Sequence, residues 1–242
     1  EAAGGENYNT LMSLSLSLHD PKVIWAGSDD GLIHITRDGG ENWKNVTPRG
    51  LKEGIINSIE VSPHDPATAY ITLMRYKFMD LMPYIFKTKD YGLNWELITD
   101  GIKGVHTFAR VVRADPKVPG LLYAGTETGF YISYDEGEKW ESFQNNLPIV
   151  PINDLFIRDN DLIAATAGRS FWILDDISPL QEQKNINGFH LVTPKKGYRI
   201  FSRKTSKNSF QGTNPLSGII LDYYLPEVSD SLNITLEIID GD

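Results

Sequence analysis

Along residues 11 to 174 the apolar positions come in short runs that alternate with polar residues or are β-branched, each closed by an Asp-Pro or Gly turn. "LMSLSLSL" leads through "HDP" into "VIWAGSDDGLIHIT". "INSIEVS" leads through "HDP" into "AYITL", and "FARVVR" through "ADP" into "LLYAGTETGFYIS". Alternation over so few residues between turn formers is strand chemistry, because it fills one face of a pleated sheet and no face of a helix. A last short strand opens each time on a tryptophan: "WKNV", "WELI" and "WESF". Each unit is therefore predicted to be four antiparallel strands within about 45–50 residues, the pattern of a β-propeller blade.

An eight-residue segment sets the units in register. "TRDGGENW" begins at Thr36, "TKDYGLNW" at Thr88 and "SYDEGEKW" at Ser133, so the copies start 52 and then 45 residues apart. Each has a hydroxyl residue, then Asp, Gly and Trp at fixed offsets: Thr36, Asp38, Gly40, Trp43; Thr88, Asp90, Gly92, Trp95; Ser133, Asp135, Gly137, Trp140. The Asp and the hydroxyl can accept amides of their own turn, and Gly tolerates a left-handed φ. Tryptophan at the start of the fourth strand can wedge between neighbouring sheets. A catalytic or metal-binding Asp is the alternative, but a catalytic residue is not normally repeated in every blade, so the segments read as architecture.

From the Asp-Pro turn to the segment is 16 residues in the first unit (Asp20 to Thr36), 23 in the second (Asp65 to Thr88) and 18 in the third (Asp115 to Ser133). The surplus of the second falls in "MRYKFMDLMP", Met74 to Pro83, between its second and third strands. A fourth unit, "INDLFI", "DLIAAT" and "SFWILDDIS", keeps Asp176 at the position of the repeated Asp, has Leu174 for the hydroxyl and lacks the Trp. The blades are placed at about 8–54, 55–104, 105–150 and 151–180.

Composition narrows the function. A formal charge of −9 and a pI near 5.1 argue against a nucleic-acid partner, which needs a basic face. No run approaches the length of a membrane-spanning helix. The absence of cysteine excludes disulfides and thiolate metal sites. The five His (His19, His34, His64, His106, His190) lack ligand spacing, so no metal is expected. Without a Gly-rich phosphate loop or a nucleophile elbow, neither is a cofactor. Sequons stand at Asn45 and Asn233. The chain opens on "EAAGGENYNT" with neither a signal peptide nor a Met, an opening that leaves room for a removed upstream leader, and "SLNITLEIIDGD" reads as a strand with no return. A fragment of a larger propeller is the expectation, against a complete four-bladed one with an appendage.

Counting strands assigns the faces. The repeated turn joins strands three and four and shares a face with the Asp-Pro turns. The opposite face, where propeller ligands usually sit, carries the loops between strands two and three. Asp30 and Glu127 occupy matching loop positions two blades apart and are the candidate catalytic pair, since glycoside hydrolysis typically uses two carboxyl groups across the bond. Rim-solvating turn residues are the alternative. Arg75, Tyr76 and Phe78 of the insertion, with Arg169, are candidate ligand contacts. The insertion reads either as a recognition platform over the channel mouth or as a flap packed on a neighbour.

The repeated octapeptides resemble the Asp-box (BNR) repeat of sialidases, xyloglucanase-type propeller hydrolases and the sortilin ectodomain. "WAGSDDGLIHITRDGGENW", "PYIFKTKDYGLNW" and "TAGRSFWILDDISPL" resemble the last blades of large secreted bacterial proteins of the sortilin-like or glycosyl-hydrolase type. The likeness covers about residues 1 to 180. It continues more weakly through "LVTPKKGYRI" and "NPLSGIILDYYLPE", which resemble the link into a β-sandwich, so residues 181–242 are expected to be a linker and partial sandwich. The resemblance implies a secreted or periplasmic protein and two functions: a carbohydrate-active, glycosyl-hydrolase-like module, or a non-catalytic scaffold binding a protein or peptide. Either would be joined by the remaining blades of a longer chain. The sialidase branch also requires an arginine triad and a "FRIP"-like segment, which this sequence lacks.

Overall fold

The computed structural model describes residues 9–183, 186, 188–197, 218–226 and 233–239. The chain divides into two compact units, Glu1–Asp175 and Asp176–Asp242.

The first unit is a series of antiparallel sheets in chain order. Blade 1 contains β1 (Leu11–Leu16), β2 (Ile24–Ser28), β3 (Ile33–Thr36) and β4 (Lys44–Asn45). Blade 2 contains β5 (Ile55–Val61), β6 (Ala69–Met74), β7 (Ile85–Thr88) and β8 (Glu96–Leu97). Blade 3 contains β9 (Ala109–Ala114), β10 (Leu122–Thr126), β11 (Phe130–Ser133) and β12 (Glu141–Ser142). Blade 4 has three strands among the described residues: β13 (Ile152–Arg158), β14 (Asp161–Thr166) and β15 (Phe171–Leu174). The first strands contact one another in turn, β1 with β5, β5 with β9 and β9 with β13. They form the inner edge, and the two-residue fourth strands lie exposed at the outside. The blades are radial, as the repeat predicts.

What joins the blades is apolar. Trp25, Ile33 and Ile35 of blade 1 pack on Ile56, Ile59, Val61 and Ile71 of blade 2 in one buried cluster. Ile85 and Ile98 of blade 2 meet Val112, Ala114 and Trp140 in the next. Burial of this kind stabilises by roughly 25 cal/mol per Å² of apolar surface removed from water. The histidines of the two "HDP" turns add polar staples: His19 Nε2 lies 3.2 Å from Ser62 O, and His64 Nε2 lies 2.8 Å from Asp115 O, each on the following blade.

Every first strand also carries a register shift near its start. The inserted residues are Met12, Asn57, Arg110 and Asn153. A bulge of this sort turns one extra side chain out of the ladder. Here it does so at the same height on the inner edge of all four blades.

The second unit begins with a helix that the sequence pattern does not predict, α1 (Ser178–Gln183). Asp176 Oδ1 accepts Ser178 N at 3.0 Å ahead of it, and Pro179 suits a first turn that needs no amide partner. A short pair, β16 (His190–Leu191) with β17 (Tyr223–Tyr224), follows, and Tyr224 OH donates to Pro179 O at 2.6 Å. Residues 184–185, 187, 198–217, 227–232 and 240–242 of the expected linker and sandwich segment lie outside the described residues, and the described residues 233–239 carry no strand where "SLNITLEIIDGD" predicts one. Among the described residues no helix is long and apolar enough to cross a membrane.

Candidate functional site

The octapeptide turns share one hydrogen-bond plan. Thr36 Oγ1 donates to Asp38 Oδ1 at 2.7 Å and accepts Gly40 N at 3.0 Å, while Asp38 Oδ1 takes Asn42 N at 2.9 Å. In the second copy Thr88 Oγ1 donates to Asp90 (2.9 Å) and accepts Gly92 N (2.9 Å), and Asp90 takes Asn94 N (2.9 Å). In the third, Ser133 Oγ donates to Asp135 (2.8 Å) and accepts Gly137 N (2.9 Å), and Asp135 takes Lys139 N (2.9 Å). Gly40, Gly92 and Gly137 all have positive φ. The Asn42 amide, with Thr36 and the Asn42 side chain, holds the Asp38 carboxyl down at about 2; Asp90 is lowered for the same reason, the Asn94 amide first. The turn amides of Gly39, Tyr91 and Glu136 donate to Lys22 O, Ala67 O and Gly120 O, in the turns joining strands one and two. The repeated carboxylates are thus spent within their own turns.

The tryptophans look backwards along the ring. Trp95 Nε1 donates to Val46 O at 2.7 Å, and Trp140 Nε1 to Ile98 O at 2.9 Å; both acceptors directly follow the outer strand of the preceding blade. Trp43 has no preceding sheet among the described residues and stays 44% exposed.

On the opposite face the two candidate acids are already engaged. Asp30 accepts the Ser28 hydroxyl and Leu32 N (3.3 Å), both within its own turn. Glu127 Oε2 receives Arg110 Nε at 2.6 Å and NH2 at 2.5 Å. Arg110 is the bulge residue of blade 3. Its NH1 donates to Asn153 Oδ1 at 3.2 Å, and its carbonyl accepts Asn57 Nδ2 at 2.6 Å. The bulge residues of blades 2, 3 and 4 are thus linked.

The insertion of blade 2 folds as a single 3-10 turn, Tyr76–Phe78. Arg75 is held inside it: Nε donates to Asp80 Oδ2 at 2.8 Å, NH1 donates to Glu53 O, and the guanidinium lies over Phe78. Tyr84 OH also donates to Asp80, at 3.0 Å. Burial pushes the Asp80 carboxyl up, but the Arg75 and Tyr84 hydrogen bonds outweigh it and hold it below its ordinary value. Tyr76 stacks on Phe108 of blade 3, with centroids 5.7 Å apart. Phe78, Met79 and Met82 remain exposed at 47%, 86% and 60%. Arg169 sits on the exposed loop between β14 and β15, its carbonyl accepting Trp172 Nε1 at 3.0 Å.

The inner strands hold a group that sequence reasoning missed. Arg113 NH2 donates to Asp154 Oδ1 at 2.6 Å, Nε to Leu155 O at 2.9 Å and NH1 to Ser58 Oγ at 2.9 Å; NH1 also lies 3.5 Å from Glu60 Oε2. One guanidinium therefore ties blade 3 to both neighbours. Glu60 keeps 21% of its side-chain surface, yet burial pushes its carboxyl up to about 7, only partly opposed by Arg113 and the Ala114 amide. Arg113, Asp154, Asn57, Ser58 and Asn153 form the polar wall of an open cleft of about 350 Å³ along the inner edge. The available signal was a charged residue within an apolar first-strand run, "INSIEVS" and "FARVVR". Among the described residues no cluster of three His, Asp or Glu side chains could hold a metal ion.

No family model matches the chain, and no curated relative does. Among solved structures it is similar to YCF48 bound to D1 peptide, at 20% identity and a TM-score of 0.54, over 70% of this chain and 51% of that one. An ancestral GH74 enzyme matches at 17% identity and a TM-score of 0.55, over 70% and 24%. The GH74 xyloglucanase from Xanthomonas campestris matches at 12% and 0.55, over 77% and 32%. The chain spans about half the length of the YCF48 structure and less of the enzymes. At these identities the likeness speaks to fold alone, and with the sheets described above it establishes β-propeller blades.

Proposed function

We propose that the chain is a binding module, an Asp-box propeller of the sortilin-like kind, which takes a protein or peptide segment on the face opposite the octapeptide turns. One observation carries this reading. On that face Asp30, Asp80 and Glu127 are committed to turn amides or guanidinium groups, while Phe78, Met79 and Met82 stand exposed at the rim. A hydrolase needs carboxyl groups free to meet substrate. A scaffold needs an apolar or aromatic rim, and flexible Met with Phe suits a peptide surface. YCF48, which shares the fold, has been solved with a D1 peptide bound, and that use of the fold supports the reading. Secreted or periplasmic placement fits it equally.

The carbohydrate-active reading has support from the fold of the GH74 neighbours and from Glu60, whose carboxyl burial raises to about 7 beside Arg113 on the inner strands. The two separate by experiment. Panning a random-peptide display library on the protein should enrich binders that Phe78→Ala or Met79→Ala releases. A polysaccharide panel should yield no reducing sugar. Sugar release that Asp30→Asn, Glu127→Gln or Glu60→Gln abolishes would overturn the scaffold reading.

A further inference from the structure

The crossings from one blade to the next lie on the face opposite the octapeptide turns, and the first two share a turn. Leu51 N donates to Pro48 O at 3.1 Å with Gly50 at a φ of +76°, and Ile102 N donates to Thr99 O at 3.2 Å with Gly101 at +95°. Between blades 2 and 3 this turn is closed onto the blade that follows. Trp140 N donates to Asp100 O at 2.8 Å, Tyr131 OH donates to Lys103 O at 3.1 Å, and a Cβ added at Gly101 would overlap Trp140 O. Between blades 1 and 2 the turn stands clear. A Cβ added at Gly50 would meet nothing within 4 Å. Phe86, which like Tyr131 comes two residues before its octapeptide, has no hydroxyl to reach the crossing.

What remains there is a pocket of about 190 Å³. Leu51, Leu73, Tyr84 and Phe86 give it apolar walls, the two rings lying parallel with centroids 6.4 Å apart. Arg49 and Lys52 line it from the exposed turn. Among the described residues neither makes an ion pair or a side-chain hydrogen bond. The third cation of the lining, Arg75, is neutralised by Asp80. Arg49 stands where the second crossing has Asp100, so this turn carries two cations and the other carries one charge of each sign.

We infer that this pocket takes an acidic peptide: a Leu or Phe side chain enters between the apolar walls, and neighbouring Asp or Glu carboxylates meet Arg49 and Lys52. The inference rests on the peptide-binding reading above and names the partner's chemistry. A guanidinium matches a carboxylate with two parallel donors, and an ammonium adds a point charge. The pocket is continuous with the exposed rim through Arg75, which lines it and lies over the Phe78 ring at 5.2 Å. Charge selects the occupant. On a chain of net charge −9, two unpaired cations offer an acidic segment an attraction that most of the surface denies it.

The test pans a random-peptide display library on the intact protein and on its Arg49→Glu/Lys52→Glu, Phe78→Ala and Lys139→Glu variants. The wild type should enrich peptides that place Asp or Glu beside Leu or Phe. The double reversal should weaken those peptides about tenfold. Raised salt should weaken them on the wild type as well. Lys139→Glu reverses an exposed cation on the octapeptide turn of blade 3 and should leave their affinity unchanged. Arg49 and Lys52 are exposed, so the double variant should melt with the wild type. Enriched peptides that lack acidic residues would overturn the pocket assignment. So would acidic ones that the double reversal weakens no more than Lys139→Glu does. In either case release by Phe78→Ala would leave the peptide-binding reading standing. A library that enriches nothing would overturn both.

Discussion

Glu60 should make folding less favourable as pH rises, the reverse of ordinary acid denaturation, and Glu60→Gln should remove that dependence. Glu60 lies at a blade junction, with Ala114 N donating to Oε1 at 3.2 Å and Arg113 at 3.5 Å from Oε2. Burial raises its carboxyl from 4.5 to about 7. The folded state therefore binds this proton more tightly than the unfolded chain. The stabilisation is fully present below the unfolded value of 4.5 and is lost as pH rises through 7. A difference of this size, at 1.36 kcal/mol per pKa unit, corresponds to about 3 kcal/mol. Urea unfolding of wild type and Glu60→Gln across about pH 4 to pH 8 isolates it, because titrating groups not coupled to Glu60 cancel in the difference. The Gln variant should gain on the wild type by about 3 kcal/mol over that range, with the gain concentrated between the two pKa values. Arg113 keeps Asp154 as its partner in the variant, so the strut between blades survives. A difference between the two proteins that is flat with pH, or that favours wild type at high pH, would show that Arg113 rather than burial governs Glu60.

Thr88→Val removes the hydroxyl that accepts Gly92 N in a buried setting and should cost about 1–3 kcal/mol in thermal unfolding; an unchanged midpoint would mean that the turn bonds add nothing. Gly101→Ala puts a Cβ 2.0 Å from Trp140 O at a φ of +95°, so it should destabilise by more than about 1 kcal/mol, and a neutral result would contradict the close approach of blades 2 and 3 there. Arg113→Met should lower stability by about 1–3 kcal/mol and broaden the unfolding transition as blades 2, 3 and 4 uncouple; a sharp, unshifted transition would refute the strut.

The turns were legible in the sequence because their bonds are local. Thr88 Oγ1 reaches Asp90 and Gly92, and Asp90 reaches Asn94, all within six residues, so the segment repeats wherever the turn does. Strand alternation and turn residues likewise gave four units and their faces, since both depend on chain-local geometry. The erosion of the fourth unit, with Leu174 in place of a hydroxyl and no tryptophan, was visible for the same reason. Helix α1 was missed because Ser178 and Pro179 suit a helix start and a turn equally well. The bulges at Met12, Asn57, Arg110 and Asn153 were also missed, because a register shift is a property of two paired strands and leaves no residue signature in either. Glu127 carried no mark of its partner, and its pairing with Arg110 comes from β9 and the end of β10 lying side by side. The Arg113 contacts span 41 residues to Asp154 and 55 to Ser58, and the Glu60 proton affinity follows from what the neighbouring blades place around it. Sequence alone determined the repeating unit, whose interactions close within a turn or a hairpin. Tertiary structure decided which charged groups are free, because desolvation and ion pairing across blades depend on residues far apart in the chain.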